Sequence, residues 1–163
     1  MGRAGGVRFA NAVVRIPCAA ESAAAVYSSH MLEHLDQAEA RAFLTEVKRV
    51  LQPGGVVRIA APDLSRLVSD YLATGDADSF VSGSCMGISR PAGIRGRVKW
   101  ALVGPRHHLW MYDGSSLTRL LTEAGFADAA TVPPGSTRIA EPGQLDLLER
   151  AGESVYVEAV RPR

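Results

Sequence analysis

Only two cysteines occur in the 163 residues, Cys18 and Cys85, and they lie far apart in the chain. That leaves no disulfide framework and no thiolate metal cluster to look for, so both thiols are expected to be reduced. Lysine is equally scarce, at positions 48 and 99 only, and arginine supplies almost all of the positive charge. The formal net charge of +1 carries no general footprint for nucleic acid. No window approaches the roughly 20 apolar residues of a membrane span. The first six residues lead into polar and charged ones and not into an apolar signal core, so a cytoplasmic protein without a membrane partner is expected. What the chain does have is 47% apolar residues, enough to bury a core, and it reads as a single domain over residues 1–163.

The clearest organisation runs from Ala25 to Asp63. An apolar strand ends in the polar turn Ser28-Ser29-His30, a helix follows, and Pro53-Gly54-Gly55 leads into a second apolar run, Val56 to Ala61. Asp36 with Glu39 three residues on predicts a capping box, in which carboxylates satisfy free amides at the positive end of the helix dipole. Phe43, Leu44, Val47, Val50 and Leu51 then share one helical face. The run Val56 to Ala61 is β-branched and almost unbroken, the pattern of a strand covered on both faces. Asp63 is positioned to cap a helix carrying Leu64, Leu67, Val68, Tyr71 and Leu72, and Asp113 one carrying Leu117, Leu120, Leu121 and Ala124 that stops at Gly125. Residues 74–106 read as an irregular insert with a short basic helix over Arg95 to Val103. The cluster Arg90, Arg95, Arg97, Lys99 and Arg106 reads as a solvated loop or a contact surface. Two further strands, Ala127 to Val132 and Ser154 to Val160, flank a loop with a helical turn near Leu145 to Glu149.

These residues resemble the class I S-adenosylmethionine (SAM) dependent methyltransferases, in the type 11-like branch with a His-x-Leu-Glu-His turn, here His30 to His34. The resemblance covers about residues 7 to 162, and aligns the Ala25 to Asp63 stretch with the family's fourth strand, the helix after it and the fifth strand. It implies an α/β, truncated Rossmann-like class I methyltransferase fold of about five strands, mostly parallel, with an antiparallel C-terminal strand. Val7 to Ala10 would be the third strand, with Asn11 where the family places an acidic residue near the adenine, hence a cofactor-binding residue if SAM binds. Only 24 residues precede Ala25, too few for the family's Gly-rich strand-to-helix turn and the acidic residue beyond it. The isolated chain is therefore expected to hold no cofactor, with SAM bound only if a partner completes the site.

Candidate chemistry lies in two places. Ser28, Ser29 and His30 fall at the carboxyl end of a strand, where open α/β sheets bind ligands. His30 can take a proton from a nucleophile or hold an anion, or it can simply bond the turn. The resemblance places a second constellation, His107, His108, Trp110 and Tyr112, on the substrate side of the crevice. Its histidines are candidate catalytic groups and its aromatics a candidate substrate wall, or core residues fixing the next helix. His30, Glu33 and His34 also have the spacing of an inverted zinc peptidase, which needs a third ligand on a further helix; the strand-turn-helix context explains the motif without metal, and no metal site is expected. The resemblance therefore implies a methyltransferase-like subunit of a heteromeric enzyme acting on a small molecule in bacterial biosynthesis, as in subunit pairs that form aziridine rings. The alternatives are a fragment of a SAM-dependent methyltransferase completed by a partner, and a non-catalytic interaction or ligand-binding module. An exposed sheet edge and face predict a heterodimer or homodimer.

Overall fold

A computed structural model describes residues 9–87, 93 and 107–163. The expected basic helix at 95–103, the cluster of Arg90, Arg95, Arg97, Lys99 and Arg106, and Val7 of the expected third strand lie outside these residues. The described elements are β1 (Ala23–Ser29), α1 (Gln37–Val50), β2 (Leu51–Pro62), α2 (Leu64–Thr74), α3 (Ala77–Ser84), α4 (Gly114–Glu123), β3 (Ala127–Thr131) and β4 (Ser154–Val160). The strands form one sheet in the order β1-β2-β4-β3. β1 runs parallel to β2, while β4 is antiparallel to both of its neighbours. The last strand thus inserts between β2 and β3, so three of the four strands point the same way. The α/β, Rossmann-like architecture is as the resemblance implied. The strand count is four among the described residues, not about five: Phe9 and Ala10 are in no strand, and Phe9 is fully exposed.

Local signals account for most of the elements. The Asp36 side chain accepts from the amides of Ala38 and Glu39, and the Glu39 carboxylate accepts from the Asp36 amide, completing the capping box of α1. Ala40, Phe43, Leu44, Val47 and Val50 are the buried face of that helix. Asp63 and Asp113 cap α2 and α4 through Ser65 and Ser116. Pro53-Gly54-Gly55 does not precede β2 but lies within it. Ala23 pairs with Leu51 and Ala25 with Val56, so the three residues form part of a bulge, with Gly54 at a φ of 81°. A Cβ on Gly55 would stand 2.9 Å from the Gln52 carbonyl oxygen, which is why a side chain is excluded there. Within the described part of residues 74–106, α3 forms behind an Asp76 cap. The expected helical turn at Leu145 to Glu149 is a series of turns only.

The sheet's two faces are covered differently. Val57, Ile59 and Ala61 of β2 and Val157 and Ala159 of β4 join Phe43, Leu44 and Val47 of α1 and Leu117, Leu120 and Leu121 of α4 in one apolar core. On the opposite face stand Arg58, Tyr156 and Glu158, covered by the loop between β3 and β4. Arg58 and Glu158 are register partners on adjacent strands, both wholly buried, and their side chains meet at 2.8 Å. Arg58 also donates to the carbonyls of Ser136 and Leu147, and Glu158 accepts from the Thr137 hydroxyl and the Arg138 amide. Helix α2 contrasts with this packing. It buries no residue, and Leu72 is 77% exposed. No described helix is long and apolar enough to cross a membrane.

Candidate functional site

β1 delivers its last residues to the carboxyl end of the sheet. Ser28 and Ser29 pair with Ile59 and Ala60, so the two hydroxyls project to opposite faces. His30 leaves the strand in the left-handed region, at a φ of 47°, with its amide held by the Ala60 carbonyl at 3.0 Å. That reversal starts the 3-10 turn Leu32–His34, whose Leu32 and Glu33 are buried.

Glu33 is the centre of the site. Its side chain is 1% exposed, with Oε1 3.3 Å from His30 Nδ1 and 4.0 Å from His108 Nε2. Its carbonyl accepts from the amides of Leu109 and Trp110, which ties the 107–112 segment to the turn. His34 Nδ1 lies 3.1 Å from the His107 carbonyl oxygen, and the His34 ring meets that of His108 edge-on at 5.1 Å. The structure therefore brings His30, His34 and His108 around one buried carboxylate, with His107 contributing its backbone carbonyl to His34. In the sequence the two histidine groups stand more than seventy positions apart, and Glu33 has a part only in the zinc-peptidase pattern. The signal for it was a lone acidic residue between Leu32 and His34 in a turn leaving a buried strand.

His30 has two competing neighbours at one nitrogen. Its Nε2 lies 2.9 Å from Ser154 Oγ, while Nδ1 faces both Glu33 and an Arg150 guanidinium nitrogen at 3.2 Å. Arginine can only donate and an ionised carboxylate only accept, so a proton on Nδ1 favours Glu33 and a lone pair favours Arg150. His108 is held below the usual histidine range chiefly by burial, with the Glu33 carboxylate acting in the opposite direction.

Several buried polar atoms have no hydrogen-bond partner among the described residues: Ser28 Oγ, Ser29 Oγ, Glu33 Oε2, His107 Nδ1 and His108 Nδ1. Unpaired buried polar groups cost stability, and their gathering at one end of a sheet points to a ligand or solvent they are arranged to meet. Tyr112 is 2% exposed, its hydroxyl contacts Gln37 at 3.4 Å, and burial pushes its ionisation up to about 12, all marks of a core residue. Trp110 is half exposed and, with Tyr112, borders a small cavity of about 100 Å³ lined also by Arg41 and Arg119. A larger cleft of about 530 Å³, lined by Ala24, Gly54, Arg138 and Glu141 among others, opens at the opposite end of the strands.

The Asn11 side chain is exposed and its Oδ1 accepts from the Val13 amide at 3.1 Å within its own turn. Among the described residues, both turns that lead from a strand to a helix lack a Gly-rich phosphate- or methionine-binding pattern.

Residues 6–131 match the family described as a methyltransferase domain. No curated protein sequence matches the chain. Among solved structures, the SAM-dependent methyltransferase SibL in its apo form is similar with a TM-score of 0.54 and 18% identity, over 96% of this chain and 35% of that one. A chain from the complex between the Haloferax volcanii Trm112 methyltransferase activator and its methyltransferase partner is similar with a TM-score of 0.50 and 14% identity, over 93% of this chain and 59% of that one. A SAM-dependent methyltransferase from Thermotoga maritima gives a TM-score of 0.50 and 16% identity, over 91% and 61%. At such identities the likeness is one of fold, and the chain spans only 35% to 61% of the length of these structures.

Proposed function

The chain belongs to the methyltransferase domain family, and from that premise we propose that it supplies one side of a methyltransferase-type active site in a heteromeric biosynthetic enzyme acting on a small molecule. One observation carries this reading. The unpartnered Ser28 and Ser29 hydroxyls end β1, which is the edge of the sheet and has no strand on its outer side among the described residues. Ligands of open α/β sheets sit beyond the carboxyl ends of the strands, where the strand order turns back. The site therefore falls between this chain and whatever pairs with β1. His30, Glu33 and the 107–108 segment would position or cover a substrate there, with a histidine holding a proton or an anionic group.

The same geometry calls for a second body. A seven-residue strand with no neighbour on its outer side among the described residues is a template for pairing, and α2, which follows β2, adds the exposed Val68, Tyr71 and Leu72. Covering each 100 Å² of apolar surface is worth about 2.5 kcal/mol. Light scattering at micromolar concentration is expected to show a dimer, or a heteromer when a partner is co-expressed. A soluble monomer that recruits no partner on co-expression would contradict the reading.

A further inference from the structure

Glu33, His34 and His108 each offer a ligand atom to one point in space, with all three atoms within 4.8 Å of one another. We propose that these three residues form a binding site for a divalent transition metal, with Zn²⁺ as the ion the donor set suits best. Two imidazoles and one carboxylate are the protein ligands of many open zinc sites, which keep a further position for water or substrate. The zinc-peptidase spacing of the sequence is thus realised differently: the third ligand is His108, brought in by the 107–112 segment, and His30 stands outside the triad.

Three observations point to an ion and not merely to a cluster of polar side chains. Glu33 is buried to 1% exposure, and its Oε2 has no hydrogen-bond partner among the described residues. A buried carboxylate oxygen without a donor is a costly arrangement that a cation relieves. His34 is oriented by the His107 carbonyl at Nδ1, 3.1 Å away. Because a carbonyl only accepts, Nδ1 carries the proton and Nε2 keeps the lone pair, the outer-shell arrangement that fixes the tautomer of metal-bound histidines. His108 Nε2 lies 4.0 Å from Glu33 Oε1, and its side chain is only 10% exposed. In a tetrahedral zinc site, neighbouring ligand atoms stand roughly 3.4 Å apart, so closure needs side-chain shifts of about 1 Å. His34 is exposed, so its ring can turn about the Nδ1 contact to the His107 carbonyl while that hydrogen bond is kept. Metal binding needs only this cluster, whether or not the chain takes part in methyl transfer.

The test is calorimetric titration of zinc sulfate into the purified, metal-stripped full chain, with any co-purifying partner retained, followed by visible spectroscopy of the Co²⁺ form. One equivalent is expected to bind at micromolar affinity or tighter, with the intense visible absorption of four-coordinate Co²⁺. His34→Ala, at an exposed position that spares the fold, is expected to weaken binding by about 100-fold or more, since even outer-shell partners are worth 10- to 100-fold. Glu33→Gln, which keeps the side-chain volume, is expected to do the same. The double variant Cys18→Ser, Cys85→Ser should bind as the parent does. Absence of stoichiometric binding, binding that survives both His34→Ala and Glu33→Gln, or binding that disappears with the two exposed cysteines would each overturn the assignment.

Discussion

Glu158→Ala is expected to destabilise the protein by about 3–5 kcal/mol, the cost of removing one partner from a buried ion pair. The substitution leaves the Arg58 guanidinium wholly buried beside Tyr156, whose ring it overlies at 4.7 Å, with no countercharge. It also deprives the Thr137 hydroxyl and the Arg138 amide of their acceptor, which frees the loop covering that face of the sheet. For a chain of this size the melting temperature should fall by roughly 10 °C or more. The double variant Arg58→Met, Glu158→Leu should be milder than Glu158→Ala, because no charge is left unpaired. It still leaves the Ser136 and Leu147 carbonyls without the donors they now have. Thermal or urea unfolding of the two variants checks the ordering. Equal stability of Glu158→Ala and the parent would mean that the pair is not enclosed as described.

The largest expected effect on activity is at His30. In the assembled enzyme, His30→Ala should lower turnover more than tenfold, since positioned acid-base groups typically contribute a hundredfold or more. Alanine is poorly suited to the φ of 47° at this position. Asparagine accepts the left-handed region more readily, so His30→Asn separates loss of the imidazole from backbone strain. Both variants should assemble with the same mass as the parent by light scattering and show the same loss of turnover. Unchanged turnover in His30→Ala, and in a His107→Ala, His108→Ala variant, would place the reacting groups on the partner and leave this chain a scaffold.

Much of the architecture was legible because local signals and tertiary packing agree. The capping box at Asp36, the caps at Asp63 and Asp113, and the strand Ser154–Val160 follow from side chains acting within a few residues of themselves. The missing parts depend on contacts distant in sequence. Arg58 and Glu158 each interrupt an apolar run and read there as blemishes. Only the antiparallel register of β2 and β4 turns them into a pair. The candidate site shows the same limit. The motif His30 to His34 stands out in the sequence by its histidines, but it is Glu33 that is buried, and it becomes a centre only when residues 107–110, more than seventy positions later, dock on its carbonyl. Tyr112, beside two histidines, suits either a substrate wall or the core in sequence alone, and its burial is set by the fold.

Titration calorimetry of SAM into the isolated chain, repeated with the assembled complex, tests the central claim most directly. If this chain supplies only one side of the site, the isolated protein should show no micromolar binding of SAM, since Asn11 is turned to its own backbone and the described strand-to-helix turns offer the cofactor no Gly-rich cradle. Micromolar, one-to-one binding by the isolated chain would contradict the account and make the protein a methyltransferase in its own right.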